Sequence, residues 1–407
     1  MKIIKRNLKI LLFAALLFFL IPVTPVYSQV TVFPRNEIVW ATGYDTKANN
    51  FMPYTWDIPY GVAYMYEPLF GYDYYKDELI PVIGETYSWA PDGSYIHITL
   101  NPNAEWSDGE PIDADDVLYT FNLTRETWRF GGDQQVRVKN VTKIDPHTVR
   151  IYVNSPYEYS INVEDSIRTM QVILPEHVWK KIVAYELGGE MWKINMDEPG
   201  YETWNDWFDP SFNESYRVCS GPYEPYYRSS TRYEDVYIRR DDWWGKGLIH
   251  TDLPNSSGIP NAKYIGLRHY DTNTGKEAAI ITGAVDLSGS FIDGFDIIQP
   301  LNPNLGTYYP SLPYYVSLGS VIEASFNHRR YPFVEQWLRN AMAWALDYDS
   351  INLFASGGYW RRAKQGWIDN ESYVHQVAGV YNDTIQQMYG VSYNVTKAAE
   401  ILDTYCY

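Results

Sequence analysis

Cysteine is almost missing from this chain: Cys219 and Cys406 are the only two in 407 residues. That excludes a disulfide framework, and two isolated, partly buried thiols are the preferred reading over a bridge. Basic charge is also short, with 33 Lys and Arg against 50 Asp and Glu and a formal net charge of −17. So acidic a surface argues against nucleic acid or an anionic membrane as partner. Long apolar runs are absent but for Ile10–Val23, which follows Lys2, Lys5, Arg6 and Lys9 and precedes Val26-Tyr27-Ser28. At well under the ~20 residues that span a bilayer, the run reads as the core of a secretory signal peptide over residues 1–28 rather than an uncleaved anchor. No cysteine follows it, which excludes a lipoprotein anchor there. Also missing are HExxH, G-x-S-x-G, a P-loop and CxxC, and the seven histidines form no metal set. The expectation is therefore no catalytic residue, no metal and no cofactor. Carboxylate pairs such as Asp115-Asp116 and Asp241-Asp242 suit a glycosidase on paper. Their places, a helix start and a turn, favour a structural role.

What is present is a succession of short α/β elements without linker tract, charge run or repeat, which favours compact lobes joined by short hinges. Ser94–Leu100 alternates as a strand, Asp108-Gly109 supplies a turn, and Asp113 caps a helix with Asp115 and Asp116 in its first turn. Glu37–Gly43 reads as a first strand, Val136–Val153 as a hairpin turning at Asp145-Pro146, and Tyr233–Arg240 and Tyr264–Arg268 as further strands. Leu174–Ile182, Gly275–Thr282, Tyr331–Leu346 and Val395–Tyr405 carry helical spacing. Asn49–Tyr60 is an aromatic, proline-rich loop.

Several of these pieces resemble, in order, the blocks of the family 5 extracellular solute-binding proteins. They are Tyr66–Phe70 (YEPLF), Pro81–Trp89 with Asp92-Gly93, Trp106–Val117 (WSDGEPIDADDV), Gly221-Pro222-Tyr223, Arg240, Asp241 and Trp243–Gly245, Ala279–Leu287 (AIITGAVDL) and Ser325–Ile351. Two departures are Cys219-Ser220 before GPY and Asp241-Asp242 where the family has Asn-Pro. The resemblance implies an α/β, two-lobed periplasmic-binding-protein-like fold of type II, in its large family 5 variant with an extra subdomain in lobe I. Residues 29–270 would form lobe I, with the insert at about 76–200, and 271–407 an incomplete lobe II. The family pattern continues beyond the segment that Val395–Tyr405 resembles, so a truncated lobe is expected.

The resemblance also implies function: an extracytoplasmic receptor that captures a ligand between its lobes and hands it to the permease subunits of an ABC importer. Such a protein would be a monomer at the cell surface or in the periplasm, membrane-associated through the transporter or a carboxy-terminal anchor. Ligand class is read from aromatics. Tyr (38) and Trp (15) dominate Phe (15), so most rings carry a polar handle, which suits sugar stacking at small entropy cost. Core filling explains any one ring equally well, and peptide side chains also fit such pockets; an oligosaccharide is favoured over an oligopeptide. By resemblance the cleft is faced by Phe51–Tyr60, Ser288–Asp293, Asn327 and Gly358–Trp367. The candidate ligand contacts are Trp56, Trp360 and Trp367 for stacking and Asn50, Asp57, Asn327 and Gln365 for hydrogen bonds. Competing readings are a secreted polysaccharide-degrading enzyme and a nonfunctional receptor fragment. Sequons at Asn122, Asn140, Asn213, Asn255, Asn370, Asn382 and Asn394 make a glycoprotein possible in an exported chain.

Overall fold

The computed structural model describes residues 33–42, 51, 61–73, 78–127, 136–159, 172–190, 214–229, 231–248, 259–288, 295–307, 325–356, 358, 384 and 390–405. The signal-peptide reading of residues 1–28 lies outside them. By internal contacts the chain divides into Met1–Ile38 and Val39–Tyr407. In the first unit, the amide of Glu37 donates to the Pro34 carbonyl at 2.9 Å and Arg35 Nη1 to the Ile38 carbonyl at 3.2 Å.

The elements run β1 (Ile38–Thr42), α1 (Val62–Met65), β2 (Phe70–Asp73), β3 (Glu78–Pro81), β4 (Gly84–Trp89) and β5 (Tyr95–Leu100). Next come α2 (Ala114–Thr127), β6 (Val138–Asp145), β7 (Thr148–Val153), α3 (Glu176–Tyr185), β8 (Tyr223–Ser229), β9 (Glu234–Arg239) and β10 (Tyr264–Arg268). The last are α4 (Asn273–Ile281), β11 (Leu287–Ser288), α5 (Phe295–Ile298), α6 (Gln336–Ala345), α7 (Tyr348–Ser356) and α8 (Val395–Tyr405).

Two sheets dominate. The first is antiparallel with order β4-β5-β7-β6. Alternation puts Ile96, Ile98 and Leu100 of β5 inside, with Val149 and Ile151 of β7. The second has order β11-β1-β10-β9-β8; β8, β9 and β10 run antiparallel, and β11 pairs with β1 in parallel. Thus the chain that leaves β10 after Arg268 returns, through α4, to the sheet that β1 begins, and the expected lobe boundary near 270 falls within that connection. One continuous apolar core runs under both sheets from Phe51 to Leu267, and a small separate cluster joins Ala279, Ile280, Val285 and Ile298.

The helix expected over Tyr331–Leu346 begins later, at Gln336. A residue before proline is disfavoured in the helical region, and Tyr331-Pro332 opens a run of turns instead, with Glu335 donating to the Pro332 carbonyl at 3.1 Å. Phe333 stacks on Phe326 at 5.1 Å. Helix α8 occupies the expected span and packs on α6, Trp337 lying over Tyr405 at 6.2 Å and 14°. Among the described residues no helix is long and apolar enough to cross a membrane.

Candidate functional site

Four sequence blocks, far apart along the chain, meet at one backbone knot around Cys219–Gly221. Gly221 is where two backbones touch: its amide donates to the Met65 carbonyl at 2.7 Å, and a Cβ there would lie 2.4 Å from the Tyr64 carbonyl oxygen. The Ser220 hydroxyl accepts from the Glu67 amide at 2.8 Å. The Ser220 carbonyl accepts from both indoles of Trp243 and Trp244, each at 2.9 Å. Arg240 Nη1 donates to the carbonyls of Cys219 and Gly221 at 3.2 and 3.0 Å, and the Ser107 amide reaches the Cys219 carbonyl at 2.8 Å. Every buried carbonyl of the segment therefore finds a donor from another block, as a buried backbone requires. Burial pushes the Cys219 thiol up to about 12, so it stays a neutral, inert core group. Burial likewise raises the Glu67 carboxyl to about 7.

Both carboxylate pairs have structural partners. Asp113 and Asp116 form a reciprocal cap on α2: Asp113 Oδ1 accepts from the Asp115 amide at 2.7 Å and Asp116 Oδ2 from the Asp113 amide at 3.1 Å. Asp116 also accepts from Trp106 Nε1 at 3.1 Å and, through Oδ1, from the Glu176 amide at 2.8 Å, so one buried carboxylate serves the starts of α2 and α3. Asp241 and Asp242 are exposed ion-pair partners of Arg239 and Arg240.

Two features lead towards the predicted ligand segments. The carboxyl ends of the parallel pair β1 and β11 lie side by side, Thr42 opposite Ser288. In open α/β sheets the crevice outside such strand ends is where ligands bind. Thr42 Oγ1 is buried with no hydrogen-bond partner among the described residues. The second feature is Tyr237 of β9, fully buried, with Phe51 edge-on to its ring at 5.0 Å and Gly61 against its phenol. Burial, then Asp235 and Tyr64, hold that phenol well above the usual tyrosine range.

Asn50, Trp56, Asp57, Trp360, Gln365 and Trp367 lie outside the described residues. Asn327 is exposed in a turn, its side-chain oxygen accepting from the Arg329 amide at 3.0 Å. Phe51, read as the first residue of the cleft-facing segment Phe51–Tyr60, is buried in the core. Sequence reasoning passed over Tyr237, because a tyrosine inside an alternating strand carries no signal beyond burial.

The sequence model described as bacterial extracellular solute-binding proteins, family 5 (middle), matches residues 78–406. The chain is 25% identical over 305 residues to the peptidoglycan-binding protein YepA of Agrobacterium fabrum, covering 71% of this chain and 43% of that protein. It is 32% identical over 312 residues to the uncharacterized protein YejA of Escherichia coli, covering 72% and 43%. It thus spans less than half the length of these curated relatives. Among solved structures, the periplasmic oligopeptide-binding protein of an oligopeptide ABC transporter from Thermotoga maritima superposes with a TM-score of 0.71 at 20% identity, covering 91% of this chain and 63% of that one. A mannohexaose-bound structure of the same description gives 0.68 at 21%, covering 92% and 62%. At such identities the likeness is one of fold: a mixed α/β fold of periplasmic-binding-protein type.

Proposed function

The chain belongs to the bacterial extracellular solute-binding proteins of family 5, and on that premise we propose that it is the extracytoplasmic ligand-binding subunit of an ABC importer that captures an oligosaccharide. The match over residues 78–406 carries the reading, and YepA, one of the relatives, is described as a binding protein. A ligand held between two lobes gains contacts from both only when they close, so it shifts the open–closed equilibrium by its differential affinity. The closed form is what the permease subunits recognise, and ATP hydrolysis belongs to other subunits. The chain is exported on its amino-terminal 28 residues and acts as a monomer.

Trp56, Trp360 and Trp367 stack on ligand rings, while Asn50, Asp57, Asn327 and Gln365 bond to hydroxyls. Support for sugar comes from the excess of rings with a polar edge, 38 Tyr and 15 Trp, and from the mannohexaose held by one structural neighbour. An oligopeptide is the second reading, favoured by the oligopeptide-binding description of the same neighbours. Calorimetric titration of the purified protein with mannohexaose and with short peptides tests both. One-to-one sugar binding with no release of reducing ends or amino groups is expected. Saturable product release would replace the receptor by an enzyme, and tight peptide binding without sugar binding would reverse the ligand class.

A further inference from the structure

The four-stranded sheet turns Ile96, Ile98, Val149 and Ile151 into the core, so alternation sends Tyr95 and His97 of β5 and Arg150 and Tyr152 of β7 to its other face. All four of these are half-buried. Register sets Tyr95 opposite Tyr152 and His97 opposite Arg150. On the far side of β7 it sets Asn140 opposite Tyr152 and Thr142 opposite Arg150. The Tyr95 and Tyr152 rings pair at 5.3 Å and 51°, and the Arg150 guanidinium carbon lies 4.8 Å above the centre of the Tyr95 ring.

Beyond that ring Arg150 makes no hydrogen bond or ion pair among the described residues, and its Nε is buried without an acceptor. Thr142 Oγ1, its register neighbour on β6, is likewise buried without a partner. Asp145, at the end of β6, accepts from the His147 amide at 2.9 Å and does not pair with Arg150. In a chain of net charge −17 an unmatched cation is the unexpected case, and buried polar atoms without partners are rare in folded proteins. A guanidinium held flat on an aromatic ring keeps its outer edge for a carboxylate. Adjoining tyrosines add what a sugar needs, an apolar ring face with a hydroxyl at its edge.

We infer that this outward row is a binding site for a carboxylated sugar, Arg150 taking the carboxylate through its Nη edge and Tyr152 the sugar ring. None of its residues is among the candidate ligand contacts, so the site does not depend on which ligand the receptor carries. Charge complementarity selects the carboxylate, because a neutral sugar leaves Arg150 as unmatched as before. The paired rings select the sugar, because an inorganic anion leaves them unused.

The test maps backbone amide shifts of the whole protein with trigalacturonate, mannohexaose and sodium phosphate as probes, and repeats the first titration on Arg150→Gln and Tyr152→Leu. Trigalacturonate should shift amides of β5 and β7, and the other two probes should do so at least about tenfold more weakly. Added salt should weaken the trigalacturonate effect. Each variant should bind trigalacturonate about tenfold more weakly, Arg150→Gln with loss of the salt dependence. The probe comparison on the unaltered protein stands even where a variant fails to fold. Absence of trigalacturonate shifts on β5 and β7 would overturn the site. Equal shifts with phosphate would reduce it to an anion site and overturn the sugar, and equal shifts with mannohexaose would overturn the role of the charge. An Arg150→Gln protein that loses unfolding stability but keeps its trigalacturonate affinity would make the row a clasp of the sheet and nothing more.

Discussion

At Gly221 the missing side chain lets the segment Cys219–Tyr223 lie on the backbone of Tyr64 and Met65, and no positive φ is involved. A methyl group there would sit 2.4 Å from a carbonyl oxygen and 2.7 Å from a carbonyl carbon, neither of which can swing away. Gly221→Ala should therefore lower unfolding stability by about 1–3 kcal/mol through overpacking, read by urea denaturation; an unchanged midpoint would show that the two backbones separate freely. The GPY block announces a glycine in the sequence, but its reason, contact with a backbone more than 150 residues away, is visible only in the fold. Gly61 makes the same point more sharply, since nothing around it in sequence demands glycine. Asn327, expected as a ligand contact, is exposed and closes a turn through its side-chain oxygen, which accepts from the Arg329 amide.

Helix starts and strand edges are the next scale, and here single charged residues join elements. Asp116 is 4% exposed, and burial lifts its carboxyl to about 6 despite three accepted hydrogen bonds that act to lower it. With a folded value above the ordinary one near 4, the folded state binds more protons between about pH 4 and 6, so stability falls as pH rises through that window. Above it the full cost, on the order of 3 kcal/mol, is present. Asp116→Asn should lose an acceptor at the α2 and α3 starts, costing about 1–3 kcal/mol at low pH. Its stability should then vary less with pH from 4 to 6 than that of the parent. Parallel pH profiles for the two proteins would remove the titration from Asp116. Arg268 plays a similar joining part on the other sheet. It donates through Nε to Glu234 at 2.9 Å and through Nη1 to the Ala284 carbonyl at 3.1 Å, and its guanidinium lies 3.9 Å above the Trp40 ring. Lysine cannot make two directed bonds while stacking. Arg268→Lys should cost about 1–3 kcal/mol and alter Trp40 fluorescence; full stability with native emission would show the clasp to be dispensable. The strands were legible because alternation needs only neighbours. The delayed start of α6 was not, since helical spacing extends into Tyr331–Glu335 while Pro332 and the Phe326–Phe333 stack hold turns there.

For the whole molecule the proposed role makes a quantitative demand on three aromatic residues. If Trp56, Trp360 and Trp367 stack on ligand rings, each change to Ala should weaken binding by about 1–3 kcal/mol, roughly ten- to hundredfold in Kd, with little loss of thermal stability. Calorimetry paired with thermal unfolding separates this from a structural tryptophan, which would lose stability and keep affinity. Tight binding indifferent to all three changes would defeat the stacking assignment and leave the receptor reading in place.

The order of short blocks from Tyr66 to Ile351 was enough to determine the family, the α/β class and most strands, because each block encodes a local turn, cap or alternation. What the tertiary structure alone decided is how those blocks meet: on one knot at Cys219–Gly221, on one ring at Tyr237, and across the parallel pair β1 and β11. Local periodicity records which face of a segment is buried, whereas these contacts join residues from about 20 to about 250 positions apart, and no pattern along the chain specifies which buried face receives which partner.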